Sequence, residues 1–371
     1  MKALFLAPGN SIHSHKWIGS ISSLDSSDTF YWFSYEPFIR TPINCIRAYS
    51  PPAVLSFSPI RFIFFVLHLI LNLASTKYDI IHIHSAGTYS IFACLCSLFG
   101  IPYIITPWGS DIIFGSKNSF KRLFLIAALR KARLVTCDAH FVKELVLRLS
   151  PESQVQIINF GIDTDFFKRS SDVPSENVLR AGSINIISNR NHEPVYNIET
   201  LIKAAKLLSN ENIPFNLEIA GTGSLTPSLI ALVERLQIQS LVTFSGRYDY
   251  NNLPNMLCRN DIYVSTSLSD AGISASIAEA MSCELICIAS DSAENPLWIN
   301  SAENGFLFSA GSAESLFQCI LKSLELRNDW LNIGKFARDT ICSRNDISVE
   351  MRKAYQLMQS CSVTYRKVHT P

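Results

Sequence analysis

The chain has 371 residues, 48% of them hydrophobic and 17% charged, with a formal net charge of +1. That much apolar material fills sizeable cores and excludes a disordered chain, and the length suits two domains. A near-neutral balance supplies no field that would capture nucleic acid or an anionic membrane by charge alone.

The chain opens with Met1-Lys2-Ala3-Leu4-Phe5-Leu6-Ala7, a short apolar run that resembles a signal core. It passes at once into Pro8-Gly9-Asn10, so it reads as a first strand. Further strands are expected at Phe30–Ser34, Ile80–His84, Tyr103–Thr106, Leu134–Thr136 and Val155–Ile158. They are rich in Ile, Val and Phe and lack strict alternation, the pattern of strands buried on both faces of a parallel sheet. Helical stretches separate most of them, at Ile60–Ala74, Tyr89–Phe99, Ser119–Lys131 and Ala139–Leu149.

The most apolar stretch, Phe62–Ala74, is too short for the ~20 apolar residues that span a bilayer. Its plain reading is a core helix. Its sharper reading is a helix whose outer face also touches a membrane. The ten cysteines are scattered, with Cys94 and Cys96 the only close pair. No CxxC or Cys/His cluster has zinc spacing, so they read as reduced thiols of a cytosolic protein. His82 and His84 alternate along one strand with no carboxylate spaced to complete a site, and read as structural.

A polar stretch from Lys168 to Gly182 reads as a linker. Alternation then restarts with strands at Ile184–Ser188, Asn216–Ala220, Val242–Ser245, Ile262–Thr266, Leu285–Ala289 and Gly305–Phe308. Helices are expected at Ile198–Ser209, Thr226–Leu236, Leu253–Cys258, Ser274–Ser282 and Ala313–Leu326, and the tail Asp329–Gln359 reads as helical. The expected architecture is α/β, with two Rossmann-like doubly wound domains facing a cleft. The first is placed at 1–168. A linker follows at 169–182, then a second domain at 183–345, and a C-terminal helix and tail at 346–371 as a helical extension.

The densest chemistry lies between Ile262 and Met281, where a strand ends, a small polar loop follows and a helix begins. Amides at a helix start attract anions such as a diphosphate. Gly272 permits close backbone approach, Ser274 is a fair N-cap, and Ser276 adds a hydroxyl. Glu279 lies five residues on, about 7.5 Å along the axis, roughly the reach from a diphosphate to a ribose. A carboxylate there can accept from both ribose hydroxyls. Taken alone, the same string is a capped helix with an exposed glutamate.

In this context Ser269–Met281 resembles the donor site of glycosyltransferase family 4, the retaining family of the GT-B fold. Ala289-Ser290-Asp291 and Glu303-Asn304-Gly305-Phe306 also resemble that family in order and spacing. Gly221-Thr222-Gly223 resembles its glycine turn, with an ordinary strand-to-helix turn as the alternative. Ile158–Phe166 resembles the segment that closes its first domain.

The resemblance implies a nucleotide-sugar donor, a glycan or lipid-linked glycan acceptor, and retention of configuration in cell-surface polysaccharide or glycoconjugate synthesis. No cofactor, metal or nucleic acid is expected. A cytoplasmic enzyme is implied, with peripheral contact at the membrane as a further expectation. Arg190 stands where the family places a cation on the leaving diphosphate. The companion lysine is absent, with Val195 or Tyr196 in its place, and Arg247 or the tyrosine hydroxyl is the candidate substitute. Asp270 stands one place before the family's first acidic position, which is Ala271 here. It either reaches the transferred sugar or forms a Ser-Asp turn.

In the first domain, Asp111 follows Thr106-Pro107-Trp108-Gly109-Ser110 and either orients a substrate hydroxyl or caps a helix. Trp108 stands where many members have histidine. His13, His15 and Lys16, in the expected loop after the first strand, are candidates for proton shuttling or phosphate contact. Asp163-Thr164-Asp165 sits at an interdomain turn, out of context for metal binding. Two rivals remain: a non-catalytic sugar-nucleotide binder on the same fold, and a two-domain nicotinamide oxidoreductase. The second would want G-x-G-x-x-G, and position 226 is threonine.

Overall fold

A computed structural model describes residues 1–42, 46–52, 59–117, 119–169, 182–270 and 272–362. The expected linker therefore lies almost wholly outside the described residues, as does Ala271. The chain divides into two compact units. One is Met1–Gly161 together with the segment that starts at Ile347, and the other is Ile162–Asp346.

The first unit contains β1 (Lys2–Leu6), α1 (Ile12–Ser22), β2 (Thr29–Phe33), β3 (Ile46–Tyr49), α2 (Pro59–Ser75), β4 (Ile80–His84), α3 (Tyr89–Leu98) and β5 (Tyr103–Thr106). It continues with α4 (Ser110–Lys117), α5 (Ser119–Lys131), β6 (Leu134–Cys137), α6 (His140–Leu149) and β7 (Val155–Ile157). Its sheet runs β3-β2-β1-β4-β5-β6-β7, with every pairing parallel. All five residues of β4 are buried, as a strand covered on both faces requires. Phe65, Phe92, Leu125 and Val142 pack on one face. Trp17, Ile18 and Ile21 of α1 cover the other.

Three elements of this first unit differ from the sequence expectation. The stretch after β1 is mostly the helix α1, with Ser11 as its N-cap accepting from Ser14 N at 3.4 Å. His13, His15 and Lys16 are therefore helical, not loop, residues. The edge strand β3, Ile46–Tyr49, escaped because four residues including Arg47 carry little apolar pattern. Helix α4 begins at Ser110, where the sequence pattern predicts no element beyond the helix cap considered at Asp111.

The last helix, α14 (Ile347–Cys361), belongs to this first unit. Met351, Ala354 and Met358 join the α1 face, and Glu350 accepts from Asn159 N at 2.8 Å. What reads in sequence as a separate C-terminal helix and tail is thus, over α14, core material of the first unit.

The second unit contains β8 (Ile184–Ser188), α7 (Ile198–Asn210), β9 (Phe215–Ala220), α8 (Thr226–Arg235), β10 (Val242–Gly246), α9 (Leu253–Cys258) and β11 (Ile262–Ser265). It continues with α10 (Ala275–Ser282), β12 (Ile286–Ser290), α11 (Asn295–Trp298), β13 (Phe306–Phe308), α12 (Ala313–Glu325) and α13 (Trp330–Arg344). The sheet order is β10-β9-β8-β11-β12-β13, again parallel throughout. Its strand order reverses between β8 and β11, the crevice position where such sheets bind ligands.

The turn before the linker packs with this unit rather than with the first. Ile162 and Phe167 are in its core, and Arg338 donates to the carbonyls of Thr164 and Phe167 at 3.0 and 2.9 Å. That places the boundary at Gly161/Ile162 instead of at 168. Asp163 accepts from Asp165 N and Phe166 N at 3.1 and 2.9 Å, so it shapes this turn. Cys96 and Cys287 are fully buried, and burial pushes both thiols above their ordinary range.

Candidate functional site

The second unit gathers its polar residues where β8 and β11 end. Arg190 follows β8 and is 9% exposed. Its Nη1 donates to Ser276 Oγ at 2.9 Å. Its Nη2 donates to Asp270 Oδ1 at 2.6 Å and to Ser267 Oγ at 3.3 Å. The guanidinium lies 4.2 Å from the centroid of the Tyr196 ring. Carboxylate, hydroxyls and aromatic face thus hold the cation in one place. Arg190 Nε and Asp270 Oδ2 are buried without a protein hydrogen-bond partner among the described residues.

This arrangement rewrites the role expected of Asp270. The residue is not a simple Ser-Asp turn but one half of a buried ion pair across the strand-order reversal. It also answers what stands in the place of the missing lysine. Tyr196 supplies no second cation. Its ring instead packs against the Arg190 guanidinium, a contact of roughly 0.5–2 kcal/mol. Arg247, the other substitute considered, donates from Nε to Thr222 Oγ1 at 3.4 Å on an exposed loop.

Helix α10 begins as expected. Ser274 adopts φ −66 and ψ 144 and accepts from Ile277 N at 3.3 Å, and its Oγ lies 3.3 Å from Ser276 Oγ. Gly272, at φ 65, precedes the cap. Glu279 is 6% exposed, which corrects the picture of an exposed helical glutamate. Burial first, then the Glu279 charge, push the Tyr248 and Tyr250 phenols above their ordinary range.

The glycine turn has a packing reason. Gly221 sits at φ +103, and a Cβ there would lie 3.0 Å from Arg190 O. A Cβ on Gly223 would lie 2.4 Å from His192 O. The two glycines let the loop after β9 close on the loop carrying Arg190. Glu193 reinforces this by accepting from Ser224 N at 2.8 Å and Ser224 Oγ at 2.6 Å.

Sequence reasoning passed over Ser267 and Asn189. Asn189 accepts from Tyr263 Oη at 3.0 Å and donates to Tyr248 Oη at 3.3 Å, bracing the backbone beside Arg190. Its position next to the candidate arginine at a strand end was the available signal.

The first-unit candidates sit in different surroundings. Asp111 accepts from the backbone N–H groups of Ala86, Trp108 and Ile112, tying the loop after β4 to the one after β5. Burial raises its carboxyl above the ordinary range although these bonds oppose the shift. His15 Nε2 is 2.9 Å from Gly9 O, and its ring lies 4.6 Å from Trp32. Lys16 is on the exposed side of α1. Trp108 lies 5.9 Å from the His13 ring and 6.1 Å from that of His84. Among the described residues, no group of three His, Cys, Asp or Glu side chains is arranged to hold a metal ion.

Residues 171–340 match the family model described as Glycosyl transferases group 1, and residues 29–166 match that of Glycosyltransferase Family 4. A relative from Escherichia coli, UDP-Gal:alpha-D-GlcNAc-diphosphoundecaprenol alpha-1,3-galactosyltransferase, is 25% identical over 295 residues, with 75% of each chain covered. The fold is similar to that of Anabaena HepE in complex with UDP, with a TM-score of 0.80 and 16% identity, covering 97% of this chain and 100% of the other. Sucrose-phosphate synthase from Thermosynechococcus elongatus gives a TM-score of 0.77 and 17% identity over 99% of both chains. With both family models matched and two parallel sheets of the GT-B type, the chain belongs to glycosyltransferase family 4 and is a nucleotide-sugar-dependent glycosyltransferase.

Proposed function

We propose that the enzyme transfers a sugar from a UDP-sugar to a hydroxyl of a lipid-linked glycan, with retention and without a metal ion, during cell-surface glycan synthesis. The Arg190 cluster carries this reading. It places one guanidinium and the Ser276 hydroxyl together at the start of α10, where helix amides add positive potential. The E. coli relative, named for a UDP-Gal donor and a diphosphoundecaprenol-linked acceptor, supports the choice of base and acceptor class. A cytoplasmic enzyme at the membrane face follows from such an acceptor.

In this reaction the acceptor oxygen bonds to the anomeric carbon and the acceptor proton is released. The bond from that carbon to the diphosphate oxygen breaks, and UDP leaves. Arg190 meets the developing negative charge, helped by the α10 amides. Asp270 must yield its hold on Arg190 for this, and its carboxylate is then available to the sugar hydroxyls. Glu279 accepts from the ribose hydroxyls.

Thermal-shift screening against UDP-, GDP- and ADP-sugars is expected to select the UDP series, with UDP released on addition of a polyprenyl-diphosphate glycan. A shift confined to GDP- or ADP-sugars would remove the base assignment. Activity is expected to survive excess EDTA, and loss restored by manganese would overturn the metal-free reading. Glu279→Ala should weaken UDP binding in calorimetry by about 10-fold or more, since hydrogen bonds to a charged group contribute roughly 1.5–3 kcal/mol. Unchanged affinity would take Glu279 out of the donor site.

A further inference from the structure

The face of the first unit built from α2, α3 and α5 has apolar side chains where a soluble surface would have polar ones. On α2, Ile60, Ile63, Phe64, Leu67 and Leu71 are all exposed, Leu71 by 68%. At 100° per residue they occupy an arc of about 100°. Phe65, Leu69 and Leu73 are buried on the opposite side. The helix is thus apolar on two sides while only one of them meets the core.

A groove of about 510 Å³ continues this surface. Phe62 and Val66 of α2, Leu95 and Leu98 of α3, and Leu123 and Phe124 of α5 line it. Leu98 is 76% exposed and Leu123 is 67% exposed. Scattered apolar side chains need no explanation, but a contiguous patch across three helices does.

The charge pattern identifies the partner. Helices α2, α3 and α5 contain no Asp or Glu at all. They do carry bases, and Lys131 borders the groove with Arg130, also exposed, beside it. A protein partner of mixed charge would find no cation-binding carboxylate here. An anionic bilayer fits, because it accepts an apolar ridge into its interface and pairs bases with its head groups. Among the described residues no helix is long and apolar enough to cross a membrane, so the contact is peripheral.

We infer that this face docks the enzyme on an anionic lipid bilayer, with the Ile63–Leu71 ridge inserted and Arg130 and Lys131 at the head groups. The inference rests on the reading of a lipid-linked acceptor and adds the surface that brings the enzyme to it.

The test is flotation of the full chain, without substrate, on phosphatidylcholine vesicles and on mixed phosphatidylcholine–phosphatidylglycerol vesicles. Binding is expected on the mixed vesicles only. Leu67→Glu combined with Leu71→Glu should cut it about 10-fold or more, by loss of apolar insertion, and so should Arg130→Glu with Lys131→Glu, by loss of the attraction to anionic head groups. All four side chains are exposed, so the melting temperature and the UDP-sugar thermal shift should stay at the parent value. Absence of binding to either vesicle, or binding indifferent to both variants, overturns the inference. Association between copies that is lost in the Leu67/Leu71 variant, without vesicle binding, overturns it in favour of an oligomer interface. Since no substrate is present, failure here leaves the donor and transfer assays to judge the catalytic reading separately.

Discussion

Arg190→Ala is expected to lower turnover about 100-fold or more, the loss seen when one preorganised group facing transition-state charge is removed. The geometry supplies the preorganisation. Ser276, Ser267 and Asp270 take three of the guanidinium's hydrogen bonds, and Tyr196 backs its plane. Nothing has to be reorganised except the Asp270 contact. Steady-state release of UDP measures the effect, and near-parent turnover would end the role assigned to Arg190.

Removing the arginine also strands a carboxylate that is only 12% exposed, a change that costs about 3–5 kcal/mol when a buried partner is left alone. The Arg190→Ala/Asp270→Asn double variant removes that orphan charge. It should recover most of the lost stability and none of the lost turnover. Asp270→Asn by itself should tighten UDP binding, because the diphosphate no longer competes with a carboxylate for the cation. Weaker UDP binding in that variant would show that Asp270 has another part in holding the nucleotide.

The second large effect is on stability in acid. His82 and His84 are both 1% exposed. Burial lowers the His82 imidazole to about 3. Burial first, then the neighbouring His82, hold His84 well below its ordinary value. His82 Nε2 is 2.7 Å from Thr106 Oγ1, which lies 2.6 Å from Thr136 Oγ1. Neither His84 ring nitrogen has a protein hydrogen-bond partner among the described residues. Phe5 and Trp17 surround it instead.

An unfolded chain protonates both imidazoles below about pH 6.5, whereas the folded unit keeps them neutral. Protons bound by the unfolded state then exceed those bound by the native state, so stability rises with pH through this window and falls as pH drops. Each histidine contributes a slope of up to about 1.4 kcal/mol per pH unit. Between pH 7.5 and pH 5 the pair should remove about 4 kcal/mol, a large part of the 5–15 kcal/mol typical of a domain. His84→Phe should halve that loss in denaturant titrations at the two pH values. Identical pH dependence of the parent and variant proteins would exclude His84 as a source.

Much of the fold was legible because it rests on local properties. Runs of Ile, Val and Phe bounded by turns mark buried parallel strands, and amphipathic stretches between them mark covering helices. The failures have the same local origin. Arg47 breaks the pattern of the short edge strand β3, and histidines and serines dilute that of α1. The capped start of α10 and the positions of Gly272, Ser274 and Ser276 were readable because capping involves residues three apart.

Partnership was not readable. Arg190 and Asp270 are 80 residues apart in sequence and meet only because β8 and β11 are neighbours in the sheet. The same strand order turns an apparent Ser-Asp turn into half of an ion pair, and makes Tyr196 the stacking surface for Arg190 where a lysine was missing. Asp111, a candidate for orienting a substrate hydroxyl, became a tie between two loops because β4 and β5 lie side by side. The return of α14 to the first unit is equally invisible locally, since its apolar stripe states only that a core exists somewhere for it. By itself, then, the sequence determined the class of fold, the family and most of the capped start of α10, all matters of short-range pattern. Tertiary structure decided which charges are paired, which histidines stay neutral and which apolar faces remain uncovered, because each depends on contacts between distant segments.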